Sequence, residues 1–447
     1  MTTRTRFGVL VPFLALFACA GAIAAAAQDD APASWREAQT MLRDAVRDTV
    51  GRGEDPGRLS TLGQALLRLG RWNDAEKVLG RVLAIQPADR PTLAGLGKMA
   101  LYRHRPAEAE SLLVAAGDAE GAPRDLYAAR LRRGEWKGAA ELAEAVGDEG
   151  HLPLLERLQE VNAFELLPGP ETATVGFERS FPVPLVHVKL NGRQVLAAID
   201  PGCPHVLVDP SAMRANRLER LPGERAVFWI GSHVAAGNAL ARSIDLGGIT
   251  LANVPVASTS LHRYSIDVNP MGRDIALVIG LPVLERMGLT MDFRRQRLEL
   301  RRPGVAVKAL GQRVPFERWS ENQLVVWGTI GGGRRLSMIV GTGLPGAGFG
   351  GPNDLFDELG LRAGKMSNLM RGPGMVLQGR PWTQVGIPTL SLGGVVGDRV
   401  SGWMGAMDPG EAWREGVRLD GLLGPEWFRG RRVTFDWEKH ELLIEST

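Results

Sequence analysis

The chain has 447 residues, more than one hydrophobic core normally organises, so two or three domains are expected. With 44% hydrophobic and 23% charged residues, its composition is that of an ordinary soluble protein rather than a low-complexity chain. The formal charge of +3 includes Arg4 and Arg6 of a leader-like segment, so the remainder is close to neutral and no nucleic-acid partner is expected.

Residues 1–27 have the pattern of a secretory signal peptide. An apolar run begins at Phe7 and ends in Ala25-Ala-Ala27, which forms an A-x-A cleavage site before Gln28. The pattern predicts a secreted or periplasmic protein. An uncleaved membrane anchor is one alternative, although the run is short for a span. Lipidation at Cys19 is another, and it would anchor the protein in the envelope and give it its only membrane contact.

The rest of the chain has no second membrane segment and one cysteine. No later run is long and apolar enough to cross a bilayer. Once the leader is removed, Cys203 stands alone, so no internal disulfide is expected and stability must come from buried cores.

Residues 35–160 show a helical pattern that repeats every 34 residues, as Gly63 and Gly97 or Ala75 and Ala109 illustrate. The pattern resembles a tetratricopeptide (TPR) repeat, in which small residues let paired helices approach and leucines fill the seam. An unrelated stack of helical hairpins is the alternative. The first copy consists of Leu59, Leu62, Gly63, Leu66, Gly70, Trp72, Ala75, Leu79, Val82 and Pro87.

Pro168-Gly-Pro170 marks a linker, after which the apolar period changes from helical to alternating. Apolar residues alternate on both sides of Asn191-Gly192, which predicts a β-hairpin. Residues 172–447 are therefore expected to be all-β with a few short helices. The join between two lobes, 172–302 and 304–447, falls at Pro303.

Three elements of this β region occur twice. Gly280 and Gly424 each follow a short apolar run, and Asp292 and Asp436 each lie in a later strand; both pairs are 144 residues apart. The third pair consists of Asp200 in Asp-Pro-Gly and Gly341 in Gly-Thr-Gly, which are 141 residues apart. A repeat this regular predicts two structurally equivalent lobes.

Each lobe resembles a retropepsin-like unit of the aspartyl protease superfamily. The resemblance implies a multidomain α+β chain in which a TPR-like solenoid precedes an all-β, bilobal, pepsin/retropepsin-like domain. It also implies that each lobe presents Asp-Thr/Ser-Gly at a strand end, supported by a strand of the hydrophobic-hydrophobic-Gly type. In that family the two carboxylates share a proton and act as base and acid.

The second lobe departs from this pattern because Gly341 stands where the family has its second catalytic Asp. Asp200 is then the one candidate catalytic acid, and Thr342 and Gly343 keep the rest of the motif. In lobe 1, Pro201 replaces the Thr or Ser whose hydroxyl ties the two loops together, so Thr342 is expected to make half of that contact. Both departures argue against ordinary aspartic-protease catalysis.

The resemblance also places a substrate-closing flap in each lobe. The first is expected at Trp229–Ser232 and the second at Leu377–Arg380. Trp229 and Trp382 are interpreted either as groove residues or as buried packing. The predicted substrate-binding residues are Gly202, Trp229, Gly231, Gly343, Gln378 and Gly379.

Other polar residues receive structural interpretations. Cys203 near His205 is a possible thiol nucleophile but fits better as a small buried residue. Asp292 and Asp436 are expected to serve the fold, and Asp209 to cap a helix that begins at Pro210. The scattered histidines predict no metal site and no cofactor.

Two hypotheses for function follow. In the first, an exported, catalytically degenerate protein binds extended peptide or protein segments between its lobes, with a possible further protein partner on the TPR-like surface. In the second, an active aspartic endopeptidase forms when two chains each contribute Asp200 to a homodimer. The second requires the Asp200 loop to be free of lobe 2.

Overall fold

The structure, a computed structural model, describes residues 35–50, 54–306, 310–319, 322–362, 376–377 and 380–446. Helices occupy the first part and strands dominate the rest, so the chain is an α+β protein with a helical N-terminal region and a large β domain. None of the described helices combines the length and apolar character that a membrane span requires. The leader-like segment, including Cys19, lies outside the described residues.

Consecutive helices pack in pairs between residues 35 and 159. They are α1 (Trp35–Thr49), α2 (Pro56–Arg68), α3 (Trp72–Ile85), α4 (Arg90–Tyr102), α5 (Pro106–Ala116), α6 (Ala122–Arg133), α7 (Trp136–Ala140) and α8 (Leu152–Gln159), with a 3₁₀ turn at Glu149–His151.

The spacing of 34 residues recurs in the first two helix pairs, since α2 and α4 begin at positions 56 and 90. A Cβ added to Gly63 would lie 2.3 Å from the Leu79 side chain, and one on Gly97 would lie 2.7 Å from Leu113. These glycines therefore allow the close helix packing that the sequence indicated. The TPR assignment itself stays a prediction.

Two lobes of strands follow. Lobe 1 contains β1 (Glu165–Leu166), β2 (Thr172–Arg179), β3 (Leu185–Leu190), β4 (Arg193–Ile199), β5 (Leu207–Val208), β6 (Glu219–Trp229), β7 (Ser232–Leu246), β8 (Ile249–Ser258), β9 (Leu277–Ile279), β10 (Gly288–Asp292) and β11 (Arg297–Arg301). Lobe 2 contains β12 (Gln312–Trp319), β13 (Gln323–Ile330), β14 (Arg335–Val340), β15 (Phe349–Gly351), β16 (Val376–Leu377), β17 (Arg380–Pro381), β18 (Thr383–Leu392), β19 (Val395–Met404), β20 (Gly421–Leu423), β21 (Arg432–Asp436) and β22 (Glu441–Glu445).

Short helices punctuate both lobes. They are α9 (Pro210–Ala215), α10 (His262–Val268) and α11 (Leu281–Leu284) in lobe 1, and α12 (Asn353–Glu358) and α13 (Pro425–Phe428) in lobe 2. Asn191 and Gly192 both have positive φ, which suits the two-residue turn predicted between β3 and β4.

An antiparallel sheet with the order β2–β11–β10–β21–β22–β12 joins the lobes. At its centre β10 pairs with β21, its own repeat copy, and Thr290 lies opposite Thr434. Their buried hydroxyls are 2.9 Å apart, and the two residues are separated by 144 positions. Because a strand here pairs with its copy at equivalent residues, an approximate two-fold axis passes between them. The sequence repeat therefore corresponds to a repeat in structure.

The helical region docks on lobe 2 through aromatic side chains. Tyr102 stacks on Trp319 with ring centroids 5.5 Å apart, and Trp72 lies 5.9 Å from both Trp319 and Trp327. A second contact stacks the ring of His104 on that of His440 at 3.5 Å. This part of the helical surface is thus covered by the chain's own β domain.

Candidate active site

The two candidate loops leave equivalent strands. In lobe 1, β4 runs parallel to β9, and the Asp200 amide donates to the Ile279 carbonyl at 3.0 Å. In lobe 2, β14 runs parallel to β20, and the Gly341 amide donates to the Leu423 carbonyl at 2.9 Å. The structure therefore places Asp200 and Gly341 at matching positions.

The glycine that ends each supporting strand has no space for a side chain. A Cβ on Gly280 would lie 1.9 Å from the His205 carbonyl oxygen, and one on Gly424 would lie 2.2 Å from that of Ala347. The contacts are with backbone, which cannot move aside cheaply. Because neither glycine has a side chain, the loop that follows Asp200 or Gly341 can pack directly against the supporting strand.

The two loops meet across the interface between the lobes. A Cβ on Gly202 would lie 2.6 Å from the Gly341 Cα, so the backbones are in close contact. The Thr342 hydroxyl donates to the Ile199 carbonyl at 2.5 Å. Pro201 has neither a hydroxyl nor an N–H group, so it cannot donate the reciprocal hydrogen bond from lobe 1 to lobe 2. Only one of the two reciprocal contacts is therefore present, as the sequence predicted.

The Asp200 carboxylate is buried, with 4% of the residue exposed. Its Oδ1 accepts hydrogen bonds from the Gly202 amide at 3.0 Å and the Thr342 amide at 2.9 Å. Burial raises the pKa of Asp200 to about 6, although the amides of Gly202, Gly343 and Thr342 oppose this by favouring the charged form.

Among the residues that the structure describes, no carboxylate of lobe 2 contributes to the pKa shift of Asp200. A Cβ on Gly341 would lie 3.5 Å from Asp200 Oδ1, in ordinary van der Waals contact. A side chain at position 341 would thus point at the Asp200 carboxylate, where the sequence predicted the position of a lost second acid. Within the described part of the chain, the two loops therefore bring one carboxyl group, that of Asp200, to their interface, and Gly341 supplies none.

Tyr264 of α10 also lies at the candidate site, although it is not among the residues predicted from sequence. Its hydroxyl donates to the Gly343 carbonyl at 2.9 Å, and burial raises its pKa well above the ordinary value, with a further contribution from nearby Asp200. No local motif marks this residue, because its partner lies 79 positions away.

The β6–β7 hairpin has its turn at the residues predicted to form the flap of lobe 1, and we call this hairpin the flap. The hairpin is closed: the Asp408 amide of lobe 2 donates to the Gly231 carbonyl at 2.9 Å. Trp229 is 4% exposed and packs edge-on against Tyr264, with ring centroids 5.0 Å apart. It therefore covers the site from within the core and lines no open groove in this conformation.

In lobe 2, β16 and β17 pair as the predicted second hairpin. Its turn residues Gln378 and Gly379, both candidate substrate contacts, lie outside the described residues. Trp382 is buried and packs near Trp403, with ring centroids 6.2 Å apart. It too belongs to the core.

The remaining polar candidates have structural surroundings. Cys203 is buried, and its carbonyl accepts from the Leu281 amide at 2.8 Å. Asp209 accepts from the Ser211 amide at the start of α9, and Asp292 and Asp436 accept from turn amides after β10 and β21. Among the described residues, no three His, Cys, Asp or Glu side chains are grouped so that they could hold a metal ion.

Comparison with known proteins gives a family match over part of the chain and distant similarity to solved structures. Residues 186–283, which extend from β3 into α11, match the family described as aspartyl protease. The match covers Asp200 and Gly280 but only 98 of the 447 residues. Basic 7S globulin from soybean is similar at 11% identity and a TM-score of 0.36, over 62% of this chain and 94% of the globulin. No curated protein matches the chain.

Proposed function

We propose that the aspartyl protease-like domain of this chain is catalytically inert and binds extended peptide or protein segments between its lobes. The observation that carries the proposal is the pairing of Asp200 with Gly341. Peptide hydrolysis by this fold needs one group that activates water and another that protonates the leaving side of the bond. A glycine has no group that transfers a proton, so Asp200 alone can fill only one of these roles.

The alternative is an active endopeptidase in which two chains each supply Asp200. It is supported less well because the Asp200 loop is already engaged within its own chain. Thr342 donates to both the Asp200 carboxylate and the Ile199 carbonyl, and Gly202 lies against Gly341. A dimer of this kind would have to break these contacts in both chains before the two aspartates could meet.

Peptide binding is supported by the flap. The Gly231 carbonyl at the flap tip accepts a hydrogen bond from the backbone of Asp408, in the way that it would from an extended peptide. We further propose that the protein is exported by its leader-like residues 1–27, or held in the envelope if Cys19 is lipidated. A second protein partner would have to use helical surface that lobe 2 leaves uncovered.

Restoring the missing acid tests inertness. Wild-type protein, Gly341→Asp and the double variant Gly341→Asp/Asp200→Asn are incubated with an unfolded protein substrate across the acidic pH range. We expect no cleavage by wild type, because one carboxyl cannot serve as both acid and base. Cleavage by wild type that a statine-type inhibitor stops and Asp200→Asn abolishes would overturn the proposal. Activity of Gly341→Asp that disappears in the double variant would strengthen it.

Binding is tested separately with a fluorescently labelled statine-type peptide. We expect the fluorescence anisotropy to rise with wild-type protein, and an unlabelled extended peptide to reverse the rise. Gly231→Pro, which alters the flap tip, should weaken binding, whereas Gly192→Ala in the distant β3–β4 turn should not, because an added Cβ there has no atom within 4 Å. Equal binding by both variants, or none by wild type, would argue against ligand binding in this cleft.

A further inference from the structure

Residues 406–420, which connect β19 to β20, touch both the flap of lobe 1 and the helical region. We call this segment the strap. It contains no helix or strand, yet its residues Ala412, Trp413 and Val417 are buried. Its conformation therefore depends on what it contacts at each end.

At its first end the strap holds the flap. The backbones meet at Gly231, where an added Cβ would lie 2.1 Å from the Ala406 carbonyl oxygen and 2.9 Å from the Met407 Cα. His233 Nδ1 lies 2.7 Å from Glu411 Oε1, and both side chains are largely buried. The flap cannot lift from the cleft without breaking these contacts.

At its second end the strap is held by two helices. Lys98 of α4 donates to the Glu415 carbonyl at 2.7 Å, and the Arg418 amide donates to the carbonyl of Arg68, the last residue of α2, at 2.8 Å. Lys98 is itself fixed by the buried Asp125 of α6, whose Oδ2 is 3.2 Å away. The apolar side chains of these helices, the strap and the flap form one continuous buried cluster.

We propose that the strap couples the helical region to the flap, so that docking of helices α2 and α4 keeps the cleft shut over Asp200 and their release opens it. The helical region is then an intramolecular brace. A ligand that enters the cleft has to displace the strap from the flap tip, and it thereby loosens the contact with the helices. Coupling of this kind acts equally in both directions. The effect of this coupling on ligand binding rests on the proposed function. The coupling itself can be measured without a ligand.

Amide hydrogen exchange on the full mature chain tests the coupling. The double variant Lys98→Met/Asp125→Asn removes the contact with Glu415 without leaving a buried charge unpaired. Its matched control is Asp125→Asn, which keeps Lys98 against the strap. Because a charge-assisted hydrogen bond to a carbonyl is lost, we expect exchange at residues 228–233 to be about tenfold faster in the double variant than in the control. Exchange in β10 and β21 should not change.

Faster exchange that is confined to α4, α6 and residues 412–418, with the flap tip unchanged, would overturn the proposal. If the double variant loses protection in β10 and β21 as well, it has unfolded, and Glu411→Ala decides instead. That variant removes the contact between Glu411 and His233, and so weakens the attachment of the strap to the flap. It should speed exchange at residues 415–418, including the Arg418 amide bonded to α2, and failure to do so would equally overturn the coupling.

Discussion

Asp200→Asn is expected to gain stability relative to wild type as the pH rises from 3.8 to neutral, even though it removes the candidate catalytic acid. Burial raises the pKa of Asp200 from 3.8 to about 6, so the folded protein holds this proton more tightly than the unfolded chain. The stability contributed by the protonated carboxyl is fully present below pH 3.8, and it is lost as the pH rises through about 6. An asparagine at this position carries no charge at any pH, so the variant does not lose this stability as the pH rises.

The magnitude follows from the two pKa values. A rise from 3.8 to about 6 corresponds to about 3 kcal/mol of unfolding free energy. The asparagine oxygen can still accept from the amides of Gly202 and Thr342, but its NH₂ group would face the Gly343 amide, another donor. That mismatch costs about 1–3 kcal/mol at every pH. The expected signature is therefore a change with pH rather than a constant offset.

Urea unfolding followed by tryptophan fluorescence measures this signature. From pH 3.8 to neutral pH, the unfolding free energy of Asp200→Asn minus that of wild type should increase by about 3 kcal/mol. Asp209→Asn is a suitable control of opposite sign. Burial alone would raise the pKa of Asp209, but hydrogen bonds from Ser211 and Leu261 outweigh it and lower that pKa. A flat difference for Asp200→Asn would refute the reasoning that Asp200 is desolvated without a compensating partner.

Three further predictions concern the contacts around the site and the docked helices. Gly202→Ala should destabilise the protein strongly in chemical denaturation, because the added Cβ would lie 2.6 Å from backbone. Gly341→Ala should destabilise it only weakly, because its Cβ would lie 3.5 Å from the nearest atom. Equal effects of the two variants would contradict the packing described. Thr342→Val should cost about 1–3 kcal/mol, because the Ile199 carbonyl loses its donor, while Thr342→Ser should retain most of the stability. Burial lowers the pKa of His104 to about 3, so the stability contributed by its neutral ring is present above pH 6.5 and lost as the pH falls toward 3. His104→Gln should flatten this fall in thermal unfolding, and an unchanged pH profile would exclude His104 as its source.

Much of the β domain could be predicted from sequence because its signals are local. The Asn191-Gly192 turn, the flap turn near Gly231 and the helix cap at Asp209 each depend on a few neighbouring residues. The part of the candidate site that belongs to the repeat was predictable. This part consists of Asp200, Gly341 and the single contact of Thr342. Tyr264 was not predictable, because an isolated tyrosine on a short helix has no pattern that points to a carbonyl in the other lobe.

The closed state of the cleft could not be derived from sequence either. His233 and Glu411 are 178 positions apart, and Lys98 and Glu415 are 317 apart, so no periodicity links them. Their residue types are common on protein surfaces and indicate no partner. The tryptophans left open two interpretations, groove or core, and only the packing of Trp229 and Trp382 distinguishes them.

The sequence by itself determined that this protein has two equivalent lobes, with an aspartate in one and a glycine at the matching position of the other. A repeat and a missing side chain are properties of the chain, independent of how it packs. The tertiary structure alone decided that Asp200 is buried, that the flap is shut and that a strap links it to the helices. These features depend on contacts between distant segments, which form only when the hydrophobic cores of the helices and both lobes are assembled together.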